Sequence, residues 1–212
     1  MSSTLAAAQD NAGAADWITE AQGSTAAWSG KMNDARAAWR HAQDLARQFS
    51  APERAAIYVG AAATTEALYG NVAEGSRLAA QAFSSSAKSR DAEYAAALAW
   101  VLSGDVRQAL SLAADLERRF PEDTFVKFTY VPVLRSLVNV RQGKPDEAIR
   151  LLQSSQAYDL AISGVEFAFF GDLYAVYARG EAYLAANMPT EAVAEFQKIL
   201  AHPGLLFTDP VG

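Results

Sequence analysis

The sequence contains no cysteine and only 2 histidines among its 212 residues. A chain without cysteine forms no disulfide, binds no metal through thiolates and has no thiol nucleophile. The histidines, His41 and His202, are far apart, and neither is followed four residues later by an acidic residue or a second histidine. A spacing of four places two metal ligands on one face of a helix. We therefore predict no metal site, no cofactor and no catalytic residue, and a protein that is not an enzyme.

Basic residues are too few for a nucleic-acid-binding protein. The chain has 18 lysines and arginines against 24 acidic residues, which gives a net charge of −6. Because affinity for nucleic acid comes mainly from basic side chains that neutralise phosphates, no nucleic-acid partner is expected. The sequence also lacks the G-x-x-x-x-G-K loop with which many proteins bind nucleotide phosphates.

Long apolar runs are absent as well. No stretch approaches the ~20 apolar residues of a membrane-spanning helix, so no direct membrane span is expected. The first residues have neither the basic segment nor the apolar stretch of a secretory signal, which makes the cytoplasm the expected location. We interpret residues 1–13 as a flexible lead-in and residues 14–212 as a single folded array.

Alanine, by contrast, is abundant, and hydrophobic residues make up 51% of the chain. Alanine has the highest helix propensity of all residues, and the β-branched residues that favour strands are few. The composition therefore predicts an all-α fold with enough apolar surface for a packed core.

The segment Arg179–Leu200 contains the clearest pattern in the chain. Gly180, Tyr183, Ala192 and Phe196 follow one another at separations of 3, 9 and 4 residues. These residue types at these separations resemble the tetratricopeptide repeat, a helix–turn–helix unit. The resemblance implies that Gly180 and Ala192 are the small residues at which two helices cross, and that Tyr183 and Phe196 fill the space beside them.

The same local pattern recurs upstream: a helix, a turn with glycine or asparagine and, five residues later, a small residue in a second helix. The small residues are Ala35, Gly75, Ala109, Ala148 and Ala192, at spacings of 40, 34, 39 and 44. We predict a right-handed superhelical solenoid of about five degenerate repeats, with a following repeat cut short. The units are expected at about 15–49, 50–87, 88–121, 122–157 and 172–204, with an interruption at 158–171.

A closer resemblance is to the C-terminal tetratricopeptide region of large bacterial proteins. In these proteins a eukaryotic-like Ser/Thr kinase domain or a winged-helix domain precedes the repeats. The matching segments are 104–124, 142–155, 171–200 and 202–212. The chain has no kinase glycine-rich loop, no HRD-like loop and no DFG. The resemblance therefore implies a scaffolding role and no phosphoryl transfer.

Several local signals predict helix boundaries. Ser89 and Asp105 are expected to cap the helices that follow them, and Ser50 with Glu53 matches a capping box. Pro132 lies inside a long helical pattern, where its ring clashes with the carbonyl four residues earlier, that of Phe128. We predict a kink or a break between these two residues.

In tetratricopeptide arrays the first helix of each pair lines a concave groove. By this resemblance the partner-binding residues are expected to be Tyr130, Arg141, Tyr174, Tyr177 and Glu181. A groove of this kind binds an extended peptide or a helix, so the leading hypothesis is a non-enzymatic adaptor or sensory scaffold with a protein or peptide partner.

Two alternatives remain at this point. A small-molecule sensor would enclose an apolar effector in a pocket lined by Tyr130, Phe169 and Tyr177, next to the aromatic stretch 167–177. An oligomerisation module would form a homodimer through the exposed face of the last repeat. Phe167, Phe169 and Phe170 could also fill the groove without binding a ligand. Trp17 and Trp28, eleven residues apart, share one helix face.

Overall fold

The computed structural model describes residues 13–85, 89–161, 173–206 and 210–211. The predicted lead-in and most of the predicted interruption therefore lie outside the described residues. The described chain is helical and contains no strand, which confirms the all-α class. Its α-helices are α1 (Ala15–Trp28), α2 (Met32–Gln48), α3 (Pro52–Leu68), α4 (Val72–Ser85), α5 (Arg90–Ser103), α6 (Val106–Arg119), α7 (Val131–Arg141), α8 (Pro145–Leu151), α9 (Tyr174–Ala185), α10 (Pro189–Ala201) and α11 (Pro203–Leu206). None of these helices is both long and apolar enough to cross a membrane.

The first ten helices pack as consecutive pairs. Within a pair, α1 packs against α2, α3 against α4, α5 against α6, α7 against α8 and α9 against α10. Each pair then contacts the next, because its second helix packs against the first helix of the following pair. The first helices also pack side by side, with α3 against α5, α5 against α7 and α7 against α9.

The turn inside every pair has the same backbone geometry. One residue of each turn has a positive φ, which glycine and asparagine adopt at the lowest cost. These residues are Gly30, Gly70, Gly104, Gly143 and Asn187. Each lies five residues before one of the predicted small residues, so the predicted spacing between the turn and the small residue is confirmed.

The predicted small residues occupy one equivalent place in the five pairs. Ala35, Ala109, Ala148 and Ala192 are completely buried, and Gly75 is buried as well. We number this place 0 in each pair and count the other residues of the pair from it. Position −12 lies opposite, on the first helix of the pair.

Position −12 carries glycine where position +4 carries a large aromatic ring. A Cβ placed on Gly23 would come within 2.6 Å of the Trp39 ring, and one on Gly180 would come within 2.6 Å of the Phe196 ring. The roles predicted for Gly180 and Phe196 at a close helix crossing therefore agree with the packing. Tyr183 is half-buried on α9.

The helix around Pro132 departs from α geometry where the sequence predicts a distortion. Residues Val126–Tyr130 form a π-helical segment that leads directly into α7. At its end the Val131 N–H bonds to the Val126 carbonyl, five residues back. The wider turn changes the hydrogen-bond ladder just before Pro132, which has no N–H to donate.

Two of the three predicted caps form. Ser89 accepts a hydrogen bond from the Ala92 N–H, and Asp105 accepts one from the Gln108 N–H. The capping box predicted at Ser50 is wrong, because Ser50 has a φ of 57° and ends the turn after α2. Glu53 instead accepts a hydrogen bond from the Ser89 hydroxyl at 2.6 Å, which links the starts of α3 and α5.

The first helices of the central pairs are buried almost all round. In α3 every residue from 55 to 67 is buried, and in α5 every residue from 91 to 101. Eleven of these 24 residues are alanines, which let neighbouring helices approach closely. These stretches of α3 and α5 therefore have no exposed side chain.

Candidate partner-binding surface

Two of the five predicted groove residues lie in the core. Tyr130 and Tyr174 are completely buried, so the prediction that they contact a partner is wrong for both. The Tyr130 ring stacks on Tyr94 with centroids 3.8 Å apart, and its hydroxyl donates to Asp91 at 2.9 Å. The physical reason is the close approach of α5 and α7, which covers the face of the helix that carries Tyr130.

The other three predicted residues lie together. Arg141, at the end of α7, is exposed and donates to the carbonyl of Leu102. Tyr177 and Glu181 lie one turn apart on α9 and are half-buried. Burial and the nearby Glu181 carboxylate raise the pKa of the Tyr177 hydroxyl to about 12, whereas Arg141 lowers it. Burial also raises the pKa of Glu181.

The repeat register explains the character of this cluster. Tyr177 is at position −15, and the residues at this position in the four earlier pairs are all buried: Glu20, Gly60, Tyr94 and Val133. Glu181 is at position −11, where the earlier residues are likewise all buried: Ser24, Thr64, Leu98 and Leu137. In the second, third and fourth pairs the next first helix packs alongside. On α9 the same face is only partly covered.

Sequence reasoning missed Leu184, which extends this cluster along α9. Leu184 is at position −8 and is 51% exposed, whereas the residues at this position in the first three pairs are buried: Ala27, Ala67 and Val101. Alignment of the repeats could have indicated this residue, because leucine at position −8 of the last pair replaces the smaller alanine or valine of the first three pairs. We call Tyr177, Glu181 and Leu184 the C-terminal end face.

Part of the last pair is covered by the residues that follow it. Leu205 and Val211 pack against the same apolar cluster as Tyr177 and Phe196. This cluster is centred on Leu173, Val176 and Ile199.

Charged groups inside the fold are matched by arginines that join helices. Arg179 is completely buried and pairs with Asp159 at 2.6 Å and with Glu195 at 2.9 Å. These bonds tie the turn after α8 to both helices of the last pair. Glu66 receives two hydrogen bonds from Arg36, at 2.6 and 2.9 Å. Pairs of this kind can hold neighbouring elements in register.

One pair of acids comes together that the sequence did not indicate. Burial, followed by the charge of the nearby Asp115, raises the pKa of Glu93 to about 7. Arg119 donates to Glu93 at 2.6 Å and to Asp115 at 3.0 Å. Perturbed carboxyls are frequent in active sites. The Glu93 side chain is completely buried.

In the part of the chain that the structure describes, three cavities of ligand size open at the surface. One of about 300 Å³ lies between α2 and α4 and is lined by Arg36, Arg40, Arg77 and Trp39 among others. A second, of about 280 Å³, lies beside the π-helical segment. The third, of about 440 Å³, lies between the turn after α8 and the last pair. None of these three is lined by Tyr130 or Tyr177, and Phe169 lies outside the described residues.

Metal ligands do not cluster in the part of the chain that the structure describes, where no group of three or more histidine, aspartate or glutamate residues could hold an ion. His41 is exposed on α2. His202 follows α10, and its Nδ1 donates to the Lys198 carbonyl at 2.8 Å.

Comparison with known proteins gives no relative for this chain. No family model, no curated protein and no solved structure matches it.

Proposed function

We propose that the chain is a non-enzymatic protein-interaction scaffold, built as a solenoid of five tetratricopeptide-like helix pairs. It would form the adaptor or sensory part of a larger bacterial signalling or regulatory protein. Support for the repeat comes from the five equivalent turns and the five equivalent buried small residues. Support for the bacterial setting is the sequence resemblance alone.

The partner is a helix or a helical peptide, and it binds at the C-terminal end face beside Arg141. The observation that carries this proposal is the partial exposure of positions that another helix buries in the earlier pairs. Such a face has the shape and the apolar residues to receive a helix. Tyr177 and Leu184 would supply the apolar anchors, while Glu181 and Arg141, of opposite charge, would fix the direction of the bound helix.

The proposed binding surface, the C-terminal end face, thus differs from the continuous groove expected of such arrays. Residues 55–67 of α3 and 91–101 of α5 are buried, so these parts of the two helices offer no accessible side chains to a partner. A partner that approaches from the inner side would meet accessible anchors only at the last pair.

Site-specific crosslinking tests the proposal. A photoreactive phenylalanine derivative placed at position 177 should form covalent adducts with a partner protein, whereas the same group at Tyr69 should not. Tyr69 is a suitable control because it is 41% exposed and lies at the end of α3, away from the C-terminal end face.

The substitution Arg141→Ala should reduce the yield of the position-177 adduct several-fold. Arg150→Ala is the matched control, since Arg150 is an exposed arginine on α8. Equal adduct yields from positions 177 and 69, or a yield that Arg141→Ala leaves unchanged, would show that this face is not the binding surface.

We propose a small-molecule sensor as the second candidate. Its support is the cavity of about 440 Å³, which lies in the size range of ligand sites and has apolar walls from Val176, Ala157 and Leu160 beside Lys198. A chain that acted only as such a sensor would give no protein adduct from position 177.

A further inference from the structure

The first helix of the array also has a partly uncovered face. Trp17, at position −18, is 42% exposed. Ala21, at position −14, is half-buried, and Thr25, at position −10, is exposed. We call these three residues the N-terminal end face. They lie four residues apart and therefore form one stripe along α1.

In the later pairs the residues at the same three positions are buried. The residues at position −18 are Ile57, Asp91, Tyr130 and Tyr174; those at position −14 are Ala61, Ala95, Leu134 and Ala178; those at position −10 are Thr65, Ala99, Val138 and Ala182. The first helices α5, α7 and α9 each pack side by side with the preceding first helix. The N-terminal end face is thus the counterpart of the C-terminal end face.

The contacts between neighbouring pairs show which positions meet. Gly60, at position −15, lies so close to Ala95, at position −14, that an added Cβ would come within 2.5 Å of the alanine Cβ. Tyr94, at position −15, stacks on Tyr130, at position −18. Position −15 of one pair therefore packs on positions −14 and −18 of the next.

We propose that the C-terminal end face of one molecule docks on the N-terminal end face of a second copy. This inference rests on the proposed function and deepens it, because it names one partner of the same surface. The contact continues the joint that already repeats between neighbouring pairs. Tyr177 then packs on Trp17 and Ala21, in the way that Tyr94 packs on Tyr130.

The two faces are complementary in chemistry as well as in register. Leu184 and Trp17, each about half exposed, become buried in the joint. Tryptophan and tyrosine are the residue types that most often dominate binding energy at interfaces. Glu181 is the one charged residue on the two faces, so docking brings no like charges together. The joint is heterologous, and it leaves one free face at each end of a dimer.

Sedimentation equilibrium of single-face variants and their mixture tests the proposal. The unaltered chain should show an apparent mass that rises with concentration. Trp17→Ser and Leu184→Glu should each lower the association constant at least tenfold, because each removes one of the two faces. An equimolar mixture of the two variants should form a dimer, since the intact C-terminal face of one meets the intact N-terminal face of the other.

Tyr69→Ser is the control, because Tyr69 is as exposed as Trp17 but lies on neither face. It should associate like the unaltered chain, and circular dichroism should show that all variants fold. A monomer at every concentration would overturn the inference. So would a Trp17→Ser variant that still forms dimers alone, or a mixture that stays monomeric. A monomeric chain that still gives adducts with another protein from position 177 would refute the second copy and leave the proposed function standing.

Discussion

Buried carboxyl groups on the first helices differ in the partners that meet their charge. Glu66 faces Arg36 and also accepts from the Asn71 amide at 2.8 Å. Glu20, equally buried, accepts a hydrogen bond from the Ser24 hydroxyl at 2.9 Å, and Ser24 in turn accepts from the Trp39 ring N–H. Burial raises the pKa of Glu20 to about 7, and the bond from Ser24 opposes the shift only in part. The protonated form of Glu20 therefore suits the fold better than the charged form.

Glu20→Gln should make the protein more stable at neutral pH relative to the unaltered chain. The pKa of Glu20 is raised in the folded state, so its stabilising contribution is present below pH ~4.3 and is lost as the pH rises through about 7. The difference in unfolding free energy, variant minus unaltered chain, should increase by roughly 2–3 kcal/mol between pH 4.5 and 8. Urea unfolding at several pH values measures it.

Glu122→Gln is the control for this comparison, because Glu122 is exposed. Its difference should stay near zero across the same range. A Glu20→Gln difference that does not vary with pH would contradict the assignment of a raised pKa to Glu20.

At the scale of the elements, the first and last pairs are each closed by a glycine that faces an aromatic ring. In the last pair Gly180 on α9 faces the Phe196 ring on α10, and in the first pair Gly23 faces Trp39. The ring occupies the volume that a side chain at the glycine would need. The distance between the two helices is thus fixed by the absence of a Cβ.

Gly180→Ala should destabilise the protein by about 1–2 kcal/mol. The added methyl group overlaps the Phe196 ring, and this overpacking exceeds the gain in helix propensity. Gly204→Ala is the matched control, because a Cβ on Gly204 has no other atom within 4 Å. Thermal or urea unfolding compares the two. If both substitutions had the same effect on stability, the close crossing at Gly180 would be refuted.

The turns and crossings could be predicted from the sequence because local sterics determine them. The positive φ at Asn187 and the buried site at Ala192 each favour particular residue types, and these can be recognised within a short stretch of sequence. No local sequence pattern indicates the burial of Tyr130. The sequence indicates the helix face on which Tyr130 lies. Whether that face is covered depends on Tyr94 and Asp91, which belong to another pair.

The same limit applies to the ion pairs. Arg179 looks like an ordinary helix-surface arginine in sequence, yet it is completely buried by Asp159 and Glu195. Those partners lie 20 residues before it and 16 after it. Only the packing of the turn after α8 against the last pair brings the three groups together.

On the scale of the whole molecule, the first helices of the second to fifth pairs pack side by side, and α1 and α9 each carry partly exposed residues at positions that are buried in other pairs. Helices α3 and α5 have little accessible surface. The two end faces carry the exposed anchors Trp17 and Leu184. Binding at an end face then leaves the core packing unchanged.

Hydroxyl-radical labelling of tyrosine side chains tests the central claim most directly. In the dilute free chain Tyr177 should be modified several-fold faster than Tyr94 and Tyr174, which are completely buried. When the partner identified by crosslinking is bound, the rate at Tyr177 should fall towards theirs. Equal rates for the three tyrosines in the free chain, or an unchanged rate at Tyr177 in the complex, would contradict a docking surface at the C-terminal end face.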